Sequence, residues 1–122
     1  MRAVKSKDTG PELLVRHLLH AHGYRYRLHS DKLPGCPDLA FTSRKKVIFV
    51  NGCFWHGHNC PRGSRVPRTN RVYWTAKIEG NRRRDAKSRQ ALENAGWSVL
   101  ELWECQLHDE SLLLRRLQKF LE

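Results

Sequence analysis

Two cysteines and two histidines stand close together in the segment NGCFWHGHNC, residues 51–60. Thiolates and imidazoles are the side chains that bind zinc, and this density of them predicts a tight metal-binding loop. A fourth ligand usually comes from elsewhere: Cys105, just past the last predicted strand, is the better candidate, and Cys36 competes with it. Spacing alone does not decide which histidine binds, and the alternative is a pair of buried free thiols beside two surface histidines. The ligand-type residues are Cys53, His56, His58 and Cys60.

A zinc ion held by three cysteines and one histidine has no open coordination position, so its role would be structural. Chemistry would then fall to neighbouring groups, and Asp38 begins a predicted strand beside residues 47–50. One carboxylate with backbone carbonyls and waters suits magnesium, which keeps several waters and needs few protein ligands. The alternative is an ordinary Pro-Asp turn at the entry to a strand.

The chain carries 23 Lys+Arg against 12 Asp+Glu, a formal net charge of +11. Such an excess favours a polyanionic partner, most often nucleic acid, although part of it could be a merely solvated surface. We predict phosphate contacts from two groups, one in the loop after the cysteines and one on the following helix. They comprise Arg62, Arg65, Arg68 and Arg71, and then Arg82, Arg83, Arg84, Lys87 and Arg89.

Neither a membrane span nor a secretion signal is visible, so we expect a cytoplasmic protein with reduced cysteines. At 122 residues the chain fits one domain over 1–122, with 1–7 as an N-terminal arm. Hydrophobic periodicity and caps predict the order αβββαβα, a three-layer α/β/α sandwich around a mixed sheet. The predicted helices are 8–22, about 71–95 and one starting at Asp109, and the strands are 24–28, 38–41, 47–50 and 97–103.

Four strings carry a family resemblance: PGCPDLAF, VIFVNGCFWHGHNC, VYWTAKIEGNRRRD and LELWEC. Together they resemble the very-short-patch repair endonuclease family, Vsr, which nicks DNA at T:G mismatches. The similarity runs from about Met1 to Cys105. It implies a restriction-endonuclease-like fold, which agrees with the sandwich predicted from the pattern of helices and strands.

The resemblance also implies roles for individual residues. Asp38 matches the magnesium-binding carboxylate, and Val50 the position that contributes its backbone carbonyl. His56 matches the catalytic histidine, the general base that acts on the attacking water, and Glu12 matches an acidic residue of the active site. Asn51 stands where the family pattern commonly has a histidine, so a second proton-transfer role there is in question. Asp85 is a candidate partner for the His56 imidazole, and its alternative is a surface carboxylate.

By the same resemblance, the zinc ligands are Cys53, His58, Cys60 and Cys105, and the residues that insert beside the mismatch are Phe54, Trp55 and Trp74. Apolar wedges unstack base pairs, which costs less where a mismatch already distorts the duplex. Zinc ligands on both sides of Phe54 and Trp55 would hold that wedge rigid. The alternative is that these aromatic residues fill the core.

The expected function is magnesium-dependent hydrolysis of one strand of duplex DNA at a T:G mismatch, by a monomer that carries structural zinc. Mismatch-repair proteins are candidate partners. Two rival functions remain: a zinc-stabilised DNA-binding module without catalysis, and a restriction-type nuclease that cuts both strands of intact duplex.

Overall fold

The computed structural model describes residues 10–29, 32–52 and 69–122. A short 3-10 turn, Glu104–Gln106, separates the last strand from the last helix. The elements in chain order are α1 (Gly10–Ala21), β1 (Arg27–Leu28), β2 (Leu39–Phe41), β3 (Lys46–Asn51), α2 (Arg71–Asn94), β4 (Ser98–Trp103) and α3 (Glu110–Leu121).

The four strands form one mixed sheet in the order β1-β2-β3-β4. β1 and β3 both run antiparallel to β2, whereas β4 runs parallel to β3, with Asn51 opposite Trp103. The start of β2 and the ends of β3 and β4 therefore meet at one edge of the sheet. The predicted mixed sheet is confirmed, and this edge is where the chemistry-bearing residues gather.

Helices cover both faces of the sheet, because successive strand residues point to opposite sides. One core packs Val15 and Leu19 of α1 and Leu117 of α3 against Leu39 and Ile48. The opposite core is smaller and sets Leu92 of α2 against Ala40 and Val47, with Phe49, Trp97 and Val99 around it. This layering is compatible with the nuclease fold that the resemblance implies.

The helix ends follow the sequence signals. α1 and α2 end in the same hydrogen-bond pattern, at Gly23 and Gly96, which both have left-handed backbone conformations. Each glycine amide donates to the carbonyl three residues earlier, and the amide of the next residue donates to the carbonyl five residues earlier. At α3, the Asp109 carboxylate accepts from the Leu112 amide at 3.2 Å, as an N-cap does. Arg44 and Lys46, on the β2–β3 hairpin, donate to the last carbonyls of α3.

The first strand is shorter than predicted, since only Arg27 and Leu28 of residues 24–28 pair with β2. The side chains of Tyr24 and Tyr26 pack against the core instead. The Tyr26 hydroxyl donates to the Arg16 carbonyl at 3.3 Å, and the Tyr24 hydroxyl to Glu122 at 3.0 Å. These contacts hold the segment against α1 and the C-terminus, away from the ladder.

None of the helices in the described ranges combines the length and apolarity of a membrane span.

Candidate active site

Three metal-ligating side chains converge at the edge of the sheet where β2 begins. One ligand atom each from Glu12, His29 and Asp38 lies within 4.8 Å of the other two. The His29 Nε2 is 3.1 Å from Glu12 Oε2, and Arg16 Nη1 lies 3.4 Å from the same oxygen. Two carboxylates and an imidazole in so small a volume form a donor set suited to a divalent cation.

Glu12 reaches this edge because it belongs to the buried face of α1. It precedes Val15 by three residues and Leu19 by seven, the spacing of one helical face, and it is only 1% exposed. A charged side chain is rarely buried unless it is paired. Its position in an otherwise apolar stripe is a sequence signal, independent of the resemblance, that distinguishes Glu12 from an ordinary surface carboxylate.

Asp38 is held by the neighbouring strand, since its Oδ2 accepts a hydrogen bond of 2.7 Å from the Val50 amide. Burial, the largest cause, and the nearby Glu12 carboxylate raise the pKa of Asp38 to about 6, while the Val50 amide and His29 act in the opposite direction. A carboxyl group so destabilised as an anion gains much from a bound cation. Asp38 and Val50, the two residues predicted to hold magnesium, are thus in direct contact.

His29 was not predicted from the sequence. It follows β1 directly, and the antiparallel register that sets Leu28 opposite Leu39 brings residue 29 beside residue 38. Its amide donates to the Asp38 carbonyl at 3.1 Å, and its backbone lies in the left-handed region with φ 47°. A signal was available in the pattern, because a hairpin between strands 24–28 and 38–41 makes residues 29 and 38 neighbours.

Asn51, the residue with the uncertain catalytic role, is 6% exposed. Its amide nitrogen donates to Glu101 Oε2 at 3.4 Å, and Glu101 pairs with Arg89 at 2.9 Å. These three residues line a groove together with Phe49 and Asp85. The structure therefore ties Asn51 to β4 and α2 through polar contacts, and it ties Arg89, predicted to contact phosphate, to a carboxylate.

The predicted zinc ligand Cys105 lies two residues past Trp103, which pairs with Asn51 at the shared edge. Cys53 follows Asn51 by the same interval in sequence. Cys36 also lies near this edge, on the loop before β2, and is exposed. The zinc set and the competition between Cys36 and Cys105 stay predictions, because the other three ligands lie outside the described residues.

Several predicted residues fall in that same part of the chain, between residues 52 and 69. The predicted residues that lie outside the described ranges are Cys53, Phe54, Trp55, His56, His58, Cys60, Arg62, Arg65 and Arg68. Of the predicted DNA contacts that are described, Trp74 is half-buried and packs edge-on against Tyr73, with ring centroids 5.1 Å apart. Arg71, Arg82 and Arg84 are exposed along α2.

Comparison with known proteins gives consistent matches. Residues 1–62 match the family described as DNA mismatch endonuclease Vsr. The chain is 50% identical over 122 residues to the type II nicking enzyme V.XorIIP of Xanthomonas oryzae pv. oryzae (strain KACC10331 / KXO85), covering 100% of this chain and 89% of that protein. It is 39% identical over 113 residues to the DNA mismatch endonuclease Vsr of Escherichia coli (strain K12), covering 93% of this chain and 72% of the relative. The chain therefore belongs to the Vsr family of DNA mismatch endonucleases.

Proposed function

We propose that this protein nicks one strand of duplex DNA at a T:G mismatch by magnesium-dependent hydrolysis of a phosphodiester. The observation that carries the proposal is the pair of carboxylates, buried Glu12 and half-buried Asp38, at the sheet edge beside Val50. The names of relatives, a nicking enzyme and a mismatch endonuclease, support the same activity for this chain.

The donor set fits magnesium, which takes oxygen ligands and is commonly held by one or two carboxylates. Asp38, with the Val50 backbone carbonyl, would hold the ion, and Glu12 lies close enough to contribute a second carboxylate. Magnesium supplies charge stabilisation to the phosphate in the transition state. The Val50 amide fixes the Asp38 carboxylate in place, so this ligand is oriented before any ion or substrate arrives.

The proton transfer falls to His56 in this proposal. The imidazole removes a proton from water while the water oxygen attacks phosphorus, and the bond from phosphorus to the leaving ester oxygen breaks. An imidazole titrates near neutrality, so it is suited to this role at physiological pH. The assignment rests on the family resemblance of the string GCFWHGHNC.

Mismatch recognition in this proposal combines a wedge with backbone contacts. Trp74 lies in the first turn of α2, at the N-terminal end of that helix, and is next to exposed Tyr73. Insertion of Trp74 with Phe54 and Trp55 would exploit the weakened stacking at a T:G pair. Exposed arginines along α2 would contact phosphates, and zinc on Cys53, His58, Cys60 and Cys105 would keep the wedge rigid.

The test is nicking of end-labelled duplexes that carry T:G or T:A at one position, in magnesium or in EDTA. We expect cutting of one strand, only in the T:G duplex and only with magnesium. Glu12→Gln and His56→Ala should abolish cutting and keep binding to the duplex. Glu93→Gln provides a matched control, because Glu93 is an exposed carboxylate of α2.

The rival functions predict different products. Tight binding with no cutting under any condition would favour a DNA-binding module, and equal cutting of T:A would mean another target for the same fold. Breakage of both strands would indicate a restriction-type nuclease. A single nick needs one active site, so we propose a monomer as the working form.

A further inference from the structure

His29 occupies a position that the proposed magnesium chemistry does not require. Its side chain is 16% exposed, and its Nε2 points at the Glu12 carboxylate from 3.1 Å. Its backbone amide donates a hydrogen bond to the Asp38 carbonyl, so the backbone holds two residues of the site together. A residue other than glycine in the left-handed region is uncommon, and such conformations cluster at functional sites.

We propose that His29 is the third ligand of the cation site, and that its imidazole makes the site prefer manganese to magnesium. The proposal rests on the proposed function in placing a cation between Glu12 and Asp38. It adds a ligand that is nitrogen, and nitrogen is accepted by first-row transition ions and poorly by magnesium, which favours oxygen and water.

The distances allow a shared ion. Ligand atoms on opposite sides of an ion, each about 2.1–2.2 Å from its centre, stand roughly 4.2–4.4 Å apart. The atoms of Glu12, His29 and Asp38 all lie within 4.8 Å of one another, so small side-chain shifts bring them into one coordination sphere.

The surroundings give Glu12 a second polar partner. Arg16 Nη1 lies 3.4 Å from the same Glu12 oxygen, so its guanidinium balances the charge of that carboxylate. The His29 side chain can therefore turn toward a cation without leaving Glu12 unpaired. The lone pair of a ring nitrogen is the group through which histidine binds metals.

The experiment is a titration of the full-length protein with Mn²⁺ in the absence of DNA, followed by the loss of the electron paramagnetic resonance signal of free Mn²⁺. Mg²⁺ is then added as a competitor. Pulsed spectra of the bound Mn²⁺ are recorded for coupling to nitrogen-14, which a coordinated imidazole produces. The variants are His29→Ala, His29→Gln and, as the matched control, His17→Ala, which removes an exposed histidine of α1.

We expect the protein to bind Mn²⁺ at least about tenfold more tightly than Mg²⁺. His29→Ala should lose the nitrogen coupling and about tenfold or more in Mn²⁺ affinity, with less than about a threefold change for Mg²⁺. His29→Gln keeps a donor toward Glu12 and offers an oxygen ligand, so it should fold normally and show the same loss of preference. His17→Ala should match the unmodified protein.

Nitrogen coupling that persists in both His29 variants, or equal losses for the two ions, would overturn the proposal and leave His29 as an ion-pair partner of Glu12. These outcomes are separate from those of the nicking assay. A protein that binds Mn²⁺ through His29 and never cuts T:G duplexes would refute the proposed function alone, and one that cuts without a nitrogen ligand would refute this inference alone.

Discussion

At the scale of single residues, the site places the Asp38 carboxylate where burial and the neighbouring Glu12 carboxylate disfavour its charged form. Glu12 is buried and Asp38 is half-buried, and the pKa of Asp38 rises to about 6, first through burial and then through Glu12. A folded-state pKa above the ordinary value means that the folded protein binds this proton more tightly than the unfolded chain. Asp38 therefore favours folding below about pH 4, and that contribution is lost as the pH rises through about 6.

The variant Asp38→Asn should not lose stability as the pH rises, because an amide side chain stays neutral at every pH. Its oxygen can still accept the hydrogen bond from the Val50 amide. A pKa change from 3.8 to about 6 corresponds to about 3 kcal/mol. We expect the variant to be more stable than the unmodified protein by about 2–3 kcal/mol at about pH 7.5, and nearly equal at about pH 4. Urea unfolding at the two pH values measures this.

The control for this prediction is Asp109→Asn, since asparagine also serves as an N-cap and Asp109 is exposed. Its free energy of unfolding should change by less than about 0.5 kcal/mol at either pH. A stability gain for Asp38→Asn that is the same at both pH values would argue against a raised pKa. The variant should also cut no DNA, so that stability and activity change in opposite directions.

The resemblance located Asp38 and Glu12 from the sequence, and the structure explains why both are unusual. His29 was missed because its role depends on strand register, and β1 contributes only Arg27 and Leu28 to the ladder. Short strands carry little periodic signal, so the register that sets residue 29 beside residue 38 appears only once the hairpin is placed. The assignment of Asn51 depends likewise on a partner, Glu101, that lies fifty residues away in the sequence.

At the scale of elements, the loop before β2 packs closely against α2 at Gly35. A Cβ built at Gly35 would lie 2.7 Å from Ser88 Cβ and 3.3 Å from Phe49 Cε1, and the glycine φ is +77°. Both the space and the backbone conformation therefore require glycine there. This close approach fixes the loop whose next residues are Cys36, Pro37 and Asp38, so the packing of α2 helps to position Asp38, the proposed magnesium ligand.

We expect Gly35→Ala to lower the free energy of unfolding by about 2–4 kcal/mol, through strain at positive φ and overpacking against Ser88. Thermal and urea unfolding measure the change. Gly80→Ala is the matched control in α2, because no atom lies within 4 Å of its added Cβ, and alanine should stabilise the helix there by up to about 1 kcal/mol.

Adding Ser88→Gly to the Gly35→Ala protein separates the two causes. The double variant should recover the part of the loss that comes from the clash with Ser88 and keep the part that comes from the backbone. Ser88→Gly alone is the reference, because glycine inside α2 has its own cost. Full loss in the double variant relative to that reference would mean that the clash with Ser88 does not cause the loss.

The elements with strong patterns were predictable from the sequence. The apolar run of residues 47–50 proved to be the strand between β2 and β4, and the glycine stops at Gly23 and Gly96 are where α1 and α2 end. Strand 24–28 was overestimated, because its alternation of tyrosine and arginine arises from packing of Tyr24 and Tyr26 against the core. An alternating pattern of apolar and polar residues shows which side chains are buried, but it does not show that the backbone pairs with a neighbouring strand.

At the scale of the whole molecule, the net charge is +11, and part of the basic excess lies on helices on both faces of the sheet. Exposed arginines occur along α2, and α3 on the opposite face carries exposed Arg115. Net charge alone attracts DNA to the molecule as a whole, whereas phosphate contacts engage particular residues. Single substitutions of equal charge on the two helices can therefore separate the two effects.

We expect Arg82→Ala to weaken binding to T:G and T:A duplexes to the same extent and to reduce the salt dependence of binding by about one counterion. Arg115→Ala removes the same charge from the other face and should leave that slope unchanged. Fluorescence anisotropy over a range of salt concentrations measures both. Equal slopes for the two variants would mean that Arg82 does not contact the backbone of the duplex.

The hydrogen bond from the Val50 amide to Asp38 makes one backbone proton a spectroscopic probe of the site. Its NMR chemical shift should move when Asp38 gains a proton or a cation, because the acceptor oxygen changes its electron density. Its exchange with deuterium should slow when a bound ion holds Asp38 in place, since the amide must leave its acceptor to exchange. A single resonance from the end of β3 would then report protonation, metal binding and local opening in the absence of DNA and of any cutting.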